Sequence, residues 1–306
     1  KAPEGKLVAQ NGPPDRVMER LEPVKIEKLG EGRYKVDFGQ EISGWLHLKD
    51  VEGAPGQKID IRYICESPVG SNSYTMKGGG PESYHTRFTW YVFREVELSG
   101  WPGELRPEQV TAEAVYSDVA TTGCFECSNP LFNTINRIWW RSQTDNMHGS
   151  VASDCPHRER CGWLGDAHAV APFESMNYGM NNFWMKYMGD VSSSSSVFLE
   201  NTLHQKLHNS EFYFADKQPG IPFMISPGRR LCGVASPDWG TAVVQIPWDI
   251  YLYFGNKEAL ETYYGEMKQW VDHIAALTEN DIGKTGRRKS LFHTIKVQKN
   301  NVMSKF

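Results

Sequence analysis

The hydrophobic periodicity of the chain changes at Ser128-Asn129-Pro130, and this change limits the possible folds more than any other feature. Before it, apolar and polar residues alternate in short runs, as at Tyr34, Val36 and Phe38. Such alternation is typical of strands with one buried face. After it, apolar residues recur at the three- and four-residue spacings of helices. A β region followed by an α region indicates two domains in series.

The β region covers residues 1 to about 120. Its other alternating runs are Ile59, Ile61 and Tyr63, and Val110, Ala112, Ala114 and Tyr116. Clusters of glycine and proline lie between the runs and predict loops, because glycine allows positive φ and proline fixes φ. These clusters are Gly30–Gly32, Gly53–Gly56, Gly78–Gly80 and Gly100–Gly103. Short strands at this spacing predict an antiparallel β-sandwich.

The α region begins with a well-marked helix start. Asn129 can cap a helix whose first residue is Pro130, since the missing N–H of proline costs nothing there. We expect this helix to end near Gly149. The next apolar stripe runs from about Asp166 to Tyr187, with Pro172 expected to bend or delay the helix.

Further helices are predicted from Asp238 to Phe254 and from Asn256 onward, which makes four to six helical segments in all. The serine run from Ser192 to Ser196 is expected to be a flexible polar segment.

Charge and hydropathy argue against two classes of function. The net charge is −4, and residues 283–306 hold seven Lys or Arg and no Asp or Glu, so residues 1–282 carry −4 − 7 = −11. An acidic body with a short basic tail does not suit a nucleic-acid binder. No apolar run approaches the roughly 18 residues of a membrane span. The chain has ten Trp and thirteen Tyr, whose flat rings are of the kind that sugar-binding clefts use. Most of these residues are expected to fill cores.

The segment from Ser153 to Asp166 concentrates reactive side chains. It holds three carboxylates, two guanidinium groups, a histidine and a tryptophan in fourteen positions. Its proline and glycines predict a loop that opens into a helix, and such loops often carry binding and catalysis. One interpretation is glycoside cleavage, in which a carboxylic acid protonates the departing sugar oxygen. Acidic neighbours would then keep Glu159 protonated.

Two other interpretations stay open from residue types alone. The first is a zinc site, because Cys155, His157, Cys161 and His168 are ligand types, although their spacing matches no familiar zinc pattern. Cys124 and Cys127 form a lone pair that is expected to end a strand. The second is a solvated salt-bridge loop with a purely structural role. The six cysteines of the chain are too few to stabilise a protein of this size.

The reactive segment resembles the central motif of the inverting bacterial α-L-rhamnosidases, a glycoside hydrolase family with a β-sandwich followed by an (α/α)6 barrel. Further stretches are similar to family motifs in the same order, from about residue 10 to about residue 280. They are Val36–Trp45, Arg87–Arg94, Tyr116–Asp118, Phe125–Pro130, Ser236–Ala242 and Pro247-Trp248. The resemblance therefore implies an antiparallel β-sandwich and an incomplete (α/α)6-type helical barrel.

The resemblance also assigns roles residue by residue. Glu159 matches the general acid of the family. The residues that match positions gripping rhamnose in the −1 subsite are Asp154, Arg158, Trp163 and Asp166, and Asp238 and Trp239 are expected to line the same pocket. The family resemblance implies no metal and no organic cofactor. It implies a rhamnose-containing glycoside or polysaccharide as partner, and a periplasmic or extracellular location.

The resemblance leaves the catalytic base unaccounted for. Inversion needs a second carboxylate roughly 6.5–9.5 Å from the acid, and in the family this base lies much later in the chain. We therefore expect a β-sandwich over residues 1–120, the first part of the barrel over 121–282, a basic tail over 283–306 outside the family fold, and truncation before the base. Two rival interpretations are a non-catalytic carbohydrate-binding fragment and a different glycosidase or lyase built on a helical toroid.

Overall fold

The computed structural model describes residues 7–65, 68–195, 221–227, 235–276, 278–279 and 282–283. The strands of its first part are β1 Asp15–Leu21, β2 Lys25–Gly30, β3 Arg33–Val51, β4 Lys58–Ile64, β5 Pro68–Thr75, β6 Glu82–His85, β7 Tyr91–Ser99 and β8 Val110–Ser117. The helices are α1 Pro130–Asp145, α2 Leu164–Asn177, α3 Asn181–Ser195, α4 Pro237–Gly240, α5 Ala242–Phe254 and α6 Lys257–Ala276. A pair of two-residue strands, β9 Thr278–Glu279 and β10 Ile282–Gly283, follows.

The eight strands form one antiparallel sheet in which β3 joins two groups of strands. The order along the sheet is β1-β8-β3-β7-β4-β5, with β2 and β6 also paired to β3. The first half of β3 pairs with β2 and β7, and its second half pairs with β8 and β6. The register with β7 shifts between Asp37 and Ile42, and β3 passes from β7 to β8 at Gly44. The predicted order of an antiparallel β region before a helical region is confirmed.

The alternating runs supply the core of the sheet, as predicted. Tyr34, Val36 and Phe38 of β3 are buried, and so are Ile59, Ile61 and Tyr63 of β4. Strand β8 differs, because residues on both of its faces are buried, including Thr111 and Glu113. Glu113 tolerates burial because its carboxylate accepts hydrogen bonds from Trp45, His47 and Arg20.

The first helix begins as predicted and ends earlier. The side chain of Asn129 accepts a hydrogen bond from the N–H of Leu131 at 3.0 Å, and Pro130 is the first helical residue. The helix ends at Asp145 and not near Gly149, since Gly149 and Ser150 both have positive φ and belong to a turn.

The prediction of a single helical stripe from Asp166 to Tyr187 was wrong. Helix α2 ends at Asn177, and α3 starts at Asn181. Pro172 lies inside α2 without ending it. The chain breaks instead at the extended residue Tyr178, whose buried ring packs in the core.

The serine run was also assigned wrongly where it can be seen. Ser192–Ser195 form the last turn of α3, while Ser196 lies outside the described residues. The hydroxyls of Ser193 and Ser195 donate to the main-chain carbonyls of Asp190 and Ser192. Such local hydrogen bonds let serine remain helical.

The helices pack through α5, which contacts α2, α3 and α6, while α1 lies against β3 and β8. Helix α1 also leaves a row of large apolar side chains exposed. They are Leu131, Phe132, Ile135, Ile138 and Trp139, each between 41% and 63% exposed. Among the described residues, no helix is both long and apolar enough to cross a lipid bilayer.

Candidate active site

Residues 153–163, which we call the acid loop, connect the turn after α1 to the start of α2. Two hydrogen bonds close the loop on itself. The N–H of Asp154 donates to the carbonyl of Cys161 at 3.1 Å, and the N–H of Cys161 donates to Oδ1 of Asp154 at 3.2 Å. Ser153, the first residue of the loop, is held in place because its main-chain N–H and its hydroxyl both donate to Asn146. The reactive side chains are therefore held on a closed loop between two helices.

Glu159 is the predicted proton donor, and its side chain is largely buried, with 17% exposed. The indole Nε1 of Trp163 donates to its Oε2 at 2.8 Å. The nearest guanidinium nitrogen of Arg158 lies 3.4 Å from its Oε1, but the side chain of Arg158 is 73% exposed. Solvent screens such an exposed ion pair, so Trp163 is the stronger fixed partner of the carboxyl.

Asp154 takes part in the structure of the loop as well as in its charge. Its Oδ1 accepts from the N–H of Cys161, and the thiol of Cys155 lies 3.0 Å from its Oδ2. A carboxylate that accepts local hydrogen bonds in this way fixes the turn around it. Any contact between Asp154 and a sugar would therefore use an oxygen that is already oriented.

Asp166 lies in the first turn of α2, slightly later in the helix than the sequence predicted. Its pKa is raised, first by burial and then by the negative charges of Asp154 and Glu159, while His168 acts in the opposite direction. Three carboxyls thus lie near enough to interact electrostatically. Like charges in one site disfavour full ionisation, so Asp166 retains its proton more readily than a separate carboxyl would.

Asp238 and Trp239 come from α4, far along the chain, and contact the start of α2. The main-chain carbonyl of Asp238 is 2.9 Å from Nε2 of His168. The indole of Trp239 lies over Gly165, where an added Cβ would come within 2.6 Å of the ring. The α4 segment is therefore held beside Gly165, the residue that precedes Asp166.

A short segment missed by the sequence reasoning supports the end of the acid loop. The N–H of Leu164 donates to Met224, and the N–H of Ser226 donates to Gly162 at 2.8 Å, so residues 162–164 and 224–226 pair like strands. The hydroxyl of Tyr187 also donates to the carbonyl of Gly162. A Cβ at Gly162 would lie 2.0 Å from the carbonyl oxygen of Ser226. Gly162 of the motif is the sequence signal that could have indicated this close approach.

Three of the four residues of the zinc interpretation, Cys155, Cys161 and His168, have other partners. The thiol of Cys155 lies against Asp154, the thiol of Cys161 against the carbonyl of Glu159, and Nε2 of His168 against Asp238. Within the described ranges, no group of three or more His, Cys, Asp or Glu could hold a metal ion. Cys124 and Cys127 lie in the segment just before α1 and not at a strand end.

Two family models match the chain on either side of the periodicity change. The bacterial alpha-L-rhamnosidase 6 hairpin glycosidase domain matches residues 120–292 and so covers more than half of the chain. The chain belongs to the bacterial α-L-rhamnosidase family. The concanavalin-like domain of bacterial alpha-L-rhamnosidases matches residues 27–116. The family expected from the motifs is confirmed, while the exact domain bounds stay predictions.

Individual α-L-rhamnosidases agree with the family models. The chain is 37% identical to an alpha-L-rhamnosidase of Formosa agariphila, over 93% of the chain and 31% of the relative. It is 28% identical to an alpha-L-rhamnosidase of Streptomyces avermitilis, over 88% of the chain and 25% of the relative. The chain thus spans about a third or less of the length of these relatives.

Solved α-L-rhamnosidase structures share the fold of the described part. The alpha-L-rhamnosidase of Dictyoglumus thermophilum superposes with a TM-score of 0.78 at 30% identity, covering 91% of this chain and 31% of that one. The Streptomyces avermitilis enzyme, solved in complex with L-rhamnose, gives a TM-score of 0.78 at 25% identity, covering 92% and 26%.

Proposed function

We propose that this chain carries the proton-donating side of an α-L-rhamnosidase active site, with Glu159 as the general acid. The observation that carries the proposal is the geometry of the carboxyl, which is 17% exposed and hydrogen-bonded to the indole of Trp163 at 2.8 Å. A proton donor needs a fixed direction and limited contact with water. Glu159 has both, in a loop that its own hydrogen bonds close.

The substrate of the proposed reaction is a terminal α-L-rhamnoside, cleaved with inversion. Glu159 would protonate the oxygen of the leaving group, while Asp154 and Asp166 accept hydrogen bonds from sugar hydroxyls. Support for the sugar comes from the family and from the relative whose structure holds L-rhamnose. Asp238 and Trp239 would close the pocket from the α4 side, since they already contact the start of α2. Arg158, whose side chain is exposed, would donate a hydrogen bond to a sugar hydroxyl from the solvent side of the pocket.

The test measures binding of L-rhamnose to the chain itself by calorimetry. Turnover of an aryl α-L-rhamnoside is measured on the chain extended by the second half of the barrel, because the catalytic base is expected to lie there. We expect Glu159→Gln to retain sugar binding and to lower turnover by about 100-fold to 10,000-fold, the range for a lost general acid. The matched control is Glu261→Gln, because Glu261 is an exposed residue of α6. The control should leave both binding and turnover unchanged.

The outcomes separate the enzyme from the alternative binding function. Turnover that is lost in Glu159→Gln and kept in Glu261→Gln supports the proposal. Rhamnose binding without product release favours the non-catalytic carbohydrate-binding function. Equal turnover by the wild type and Glu159→Gln, or no binding of rhamnose at all, would overturn the assignment of Glu159.

A further inference from the structure

Arg160, the residue after the proposed acid, has a backbone conformation that is unfavourable for a side chain. Its φ is +55°, in the left-handed region that favours glycine. Its N–H donates to the carbonyl of Cys155 at 3.1 Å, and its Nε donates to the carbonyl of Pro156 at 3.0 Å. A strained residue of this kind persists only when its surroundings hold it in place. The Arg160 side chain therefore needs contacts outside its own loop.

Trp90, on the loop between β6 and β7, supplies that contact. The guanidinium carbon of Arg160 lies 3.9 Å from the centre of the Trp90 ring. This is a cation–π geometry, which strengthens where water is excluded. Burial also lowers the pKa of Arg160, as expected for a guanidinium removed from solvent. The contact joins a residue of the β region to the loop that carries Glu159.

Trp90 is itself fixed by the junction between the sheet and α1. The ring of His148 stacks on it at 3.9 Å with an interplanar angle of 16°. Nε2 of His148 is 2.7 Å from the hydroxyl of Ser43, a fully buried residue of β3. A carboxylate oxygen of Asp15 lies 3.8 Å from Nδ1 of the same ring. Trp90 therefore offers Arg160 a surface that the sheet keeps in place.

We propose that Trp90 is a positioning residue for the acid loop, holding Arg160 and thereby the backbone that aims Glu159. The inference rests on the proposed function for its catalytic meaning, but the contact itself can be tested without turnover. If the ring is lost, the strained conformation of Arg160 loses one of the contacts that hold it, and the backbone beside Glu159 becomes less ordered. Such a residue contributes to orientation and not to sugar binding.

The first test measures hydrogen exchange of the amides of residues 153–163. Trp90→Leu keeps apolar bulk and removes the ring, and we expect about tenfold faster exchange, the factor for a lost cation–π contact in a partly buried place. Trp90→Phe keeps an aromatic face and should restore most of the protection. The matched control is Phe88→Leu, because Phe88 lies on the same loop and is fully exposed. Unchanged exchange in the amides of β3 and β8 verifies that each variant is folded.

A double variant tests whether Trp90 acts through Arg160. Arg160→Met should speed exchange in the loop at least as much as Trp90→Leu does, because it also removes the hydrogen bond to Pro156. The double variant should be no faster than Arg160→Met alone. Additive effects would overturn the proposal, and so would wild-type exchange in Trp90→Leu.

The second test measures turnover of an aryl α-L-rhamnoside by the same extended chain, which includes the expected base. Trp90→Leu should lower kcat by about tenfold with little change in KM, because orientation of the acid is lost while sugar contacts remain. Trp90→Phe should recover kcat. A rise in KM alone would refute a positioning role. If the wild type shows no turnover, the proposed function fails, while the exchange experiment still decides the role of Trp90.

Discussion

Replacing Asp145 by asparagine tests how the sheet and the helices are joined. Asp145 ends α1, and its Oδ1 accepts from the main-chain N–H of Ser43 in β3 at 2.9 Å. Burial raises its pKa to about 7, against the partial opposing effects of Arg141 and the Ser43 hydrogen bond. The negative charges of Glu41 and Glu19 add to the increase.

The magnitude follows from linkage. An aspartate has a pKa of about 3.9 in the unfolded chain, so folding to the state with a pKa of about 7 favours the protonated form. Between these two pKa values the native state binds more protons than the unfolded state. The protein therefore loses stability as the pH rises through this range. The free energy of unfolding should fall by about 1.4 kcal/mol per pH unit in this window, or about 4 kcal/mol in total. Asparagine cannot ionise, so Asp145→Asn should not incur this loss.

The assay is urea unfolding at pH 4.5, 6.0 and 7.5, with the variant compared to the wild type at each pH. The stability advantage of Asp145→Asn should increase by several kcal/mol from the lowest to the highest pH. Asp60→Asn is the matched control, since Asp60 of β4 has a side chain that is 55% exposed. A difference between Asp145→Asn and the wild type that stays constant with pH would show that Asp145 does not carry a raised pKa in the folded protein, as would a variant that is less stable at pH 7.5.

Two further predictions concern close packing and exposed surface. Gly162→Ala places a Cβ 2.0 Å from the carbonyl of Ser226 and should lower the free energy of unfolding by about 1–3 kcal/mol, whereas Gly265→Ala in α6, with open space around it, should raise it by about 1 kcal/mol. Urea unfolding measures the free energy of unfolding of both variants. An equal change in Gly162→Ala and Gly265→Ala would contradict the predicted clash. The exposed apolar face of α1 predicts self-association of the chain. Ile135→Lys and Ile138→Glu should reduce this association in sedimentation velocity. Unchanged sedimentation of the two variants would show that this face does not mediate contact.

The sequence predicted the elements best where local chemistry alone decides the structure. Asn129 and Pro130 mark a helix start through one hydrogen bond and one missing donor, and the structure has both. The break between α2 and α3 could not be predicted, because Met176, Met180 and Phe183 continue a helical spacing across it. The chain leaves the helix to bury the ring of Tyr178, and only the tertiary structure supplies that core.

The site was predictable in composition and less so in geometry. The motif identified Glu159 and Trp163 as neighbours in sequence, but not that the indole N–H would bind the carboxyl. It placed Asp154 in a sugar pocket, but not in the hydrogen bonds that close the loop. A spacing rule gives residue types, whereas the direction of each side chain depends on backbone turns such as the positive φ at Arg160.

The acid loop is supported by two different parts of the protein, residues 224–226 and Trp90. The second support gives the β region a role in the site. Residues 224–226 hold the end of the loop through main-chain pairing with residues 162–164, so loss of that support should act through the whole segment. Trp90 holds a single side chain, Arg160, so its loss should act locally. Ser43 joins the second support to the core, since its N–H binds Asp145 and its hydroxyl lies against His148. If Trp90 acts as proposed, the sheet is part of the structure that orients Glu159, and a helical region expressed without it would lack that support.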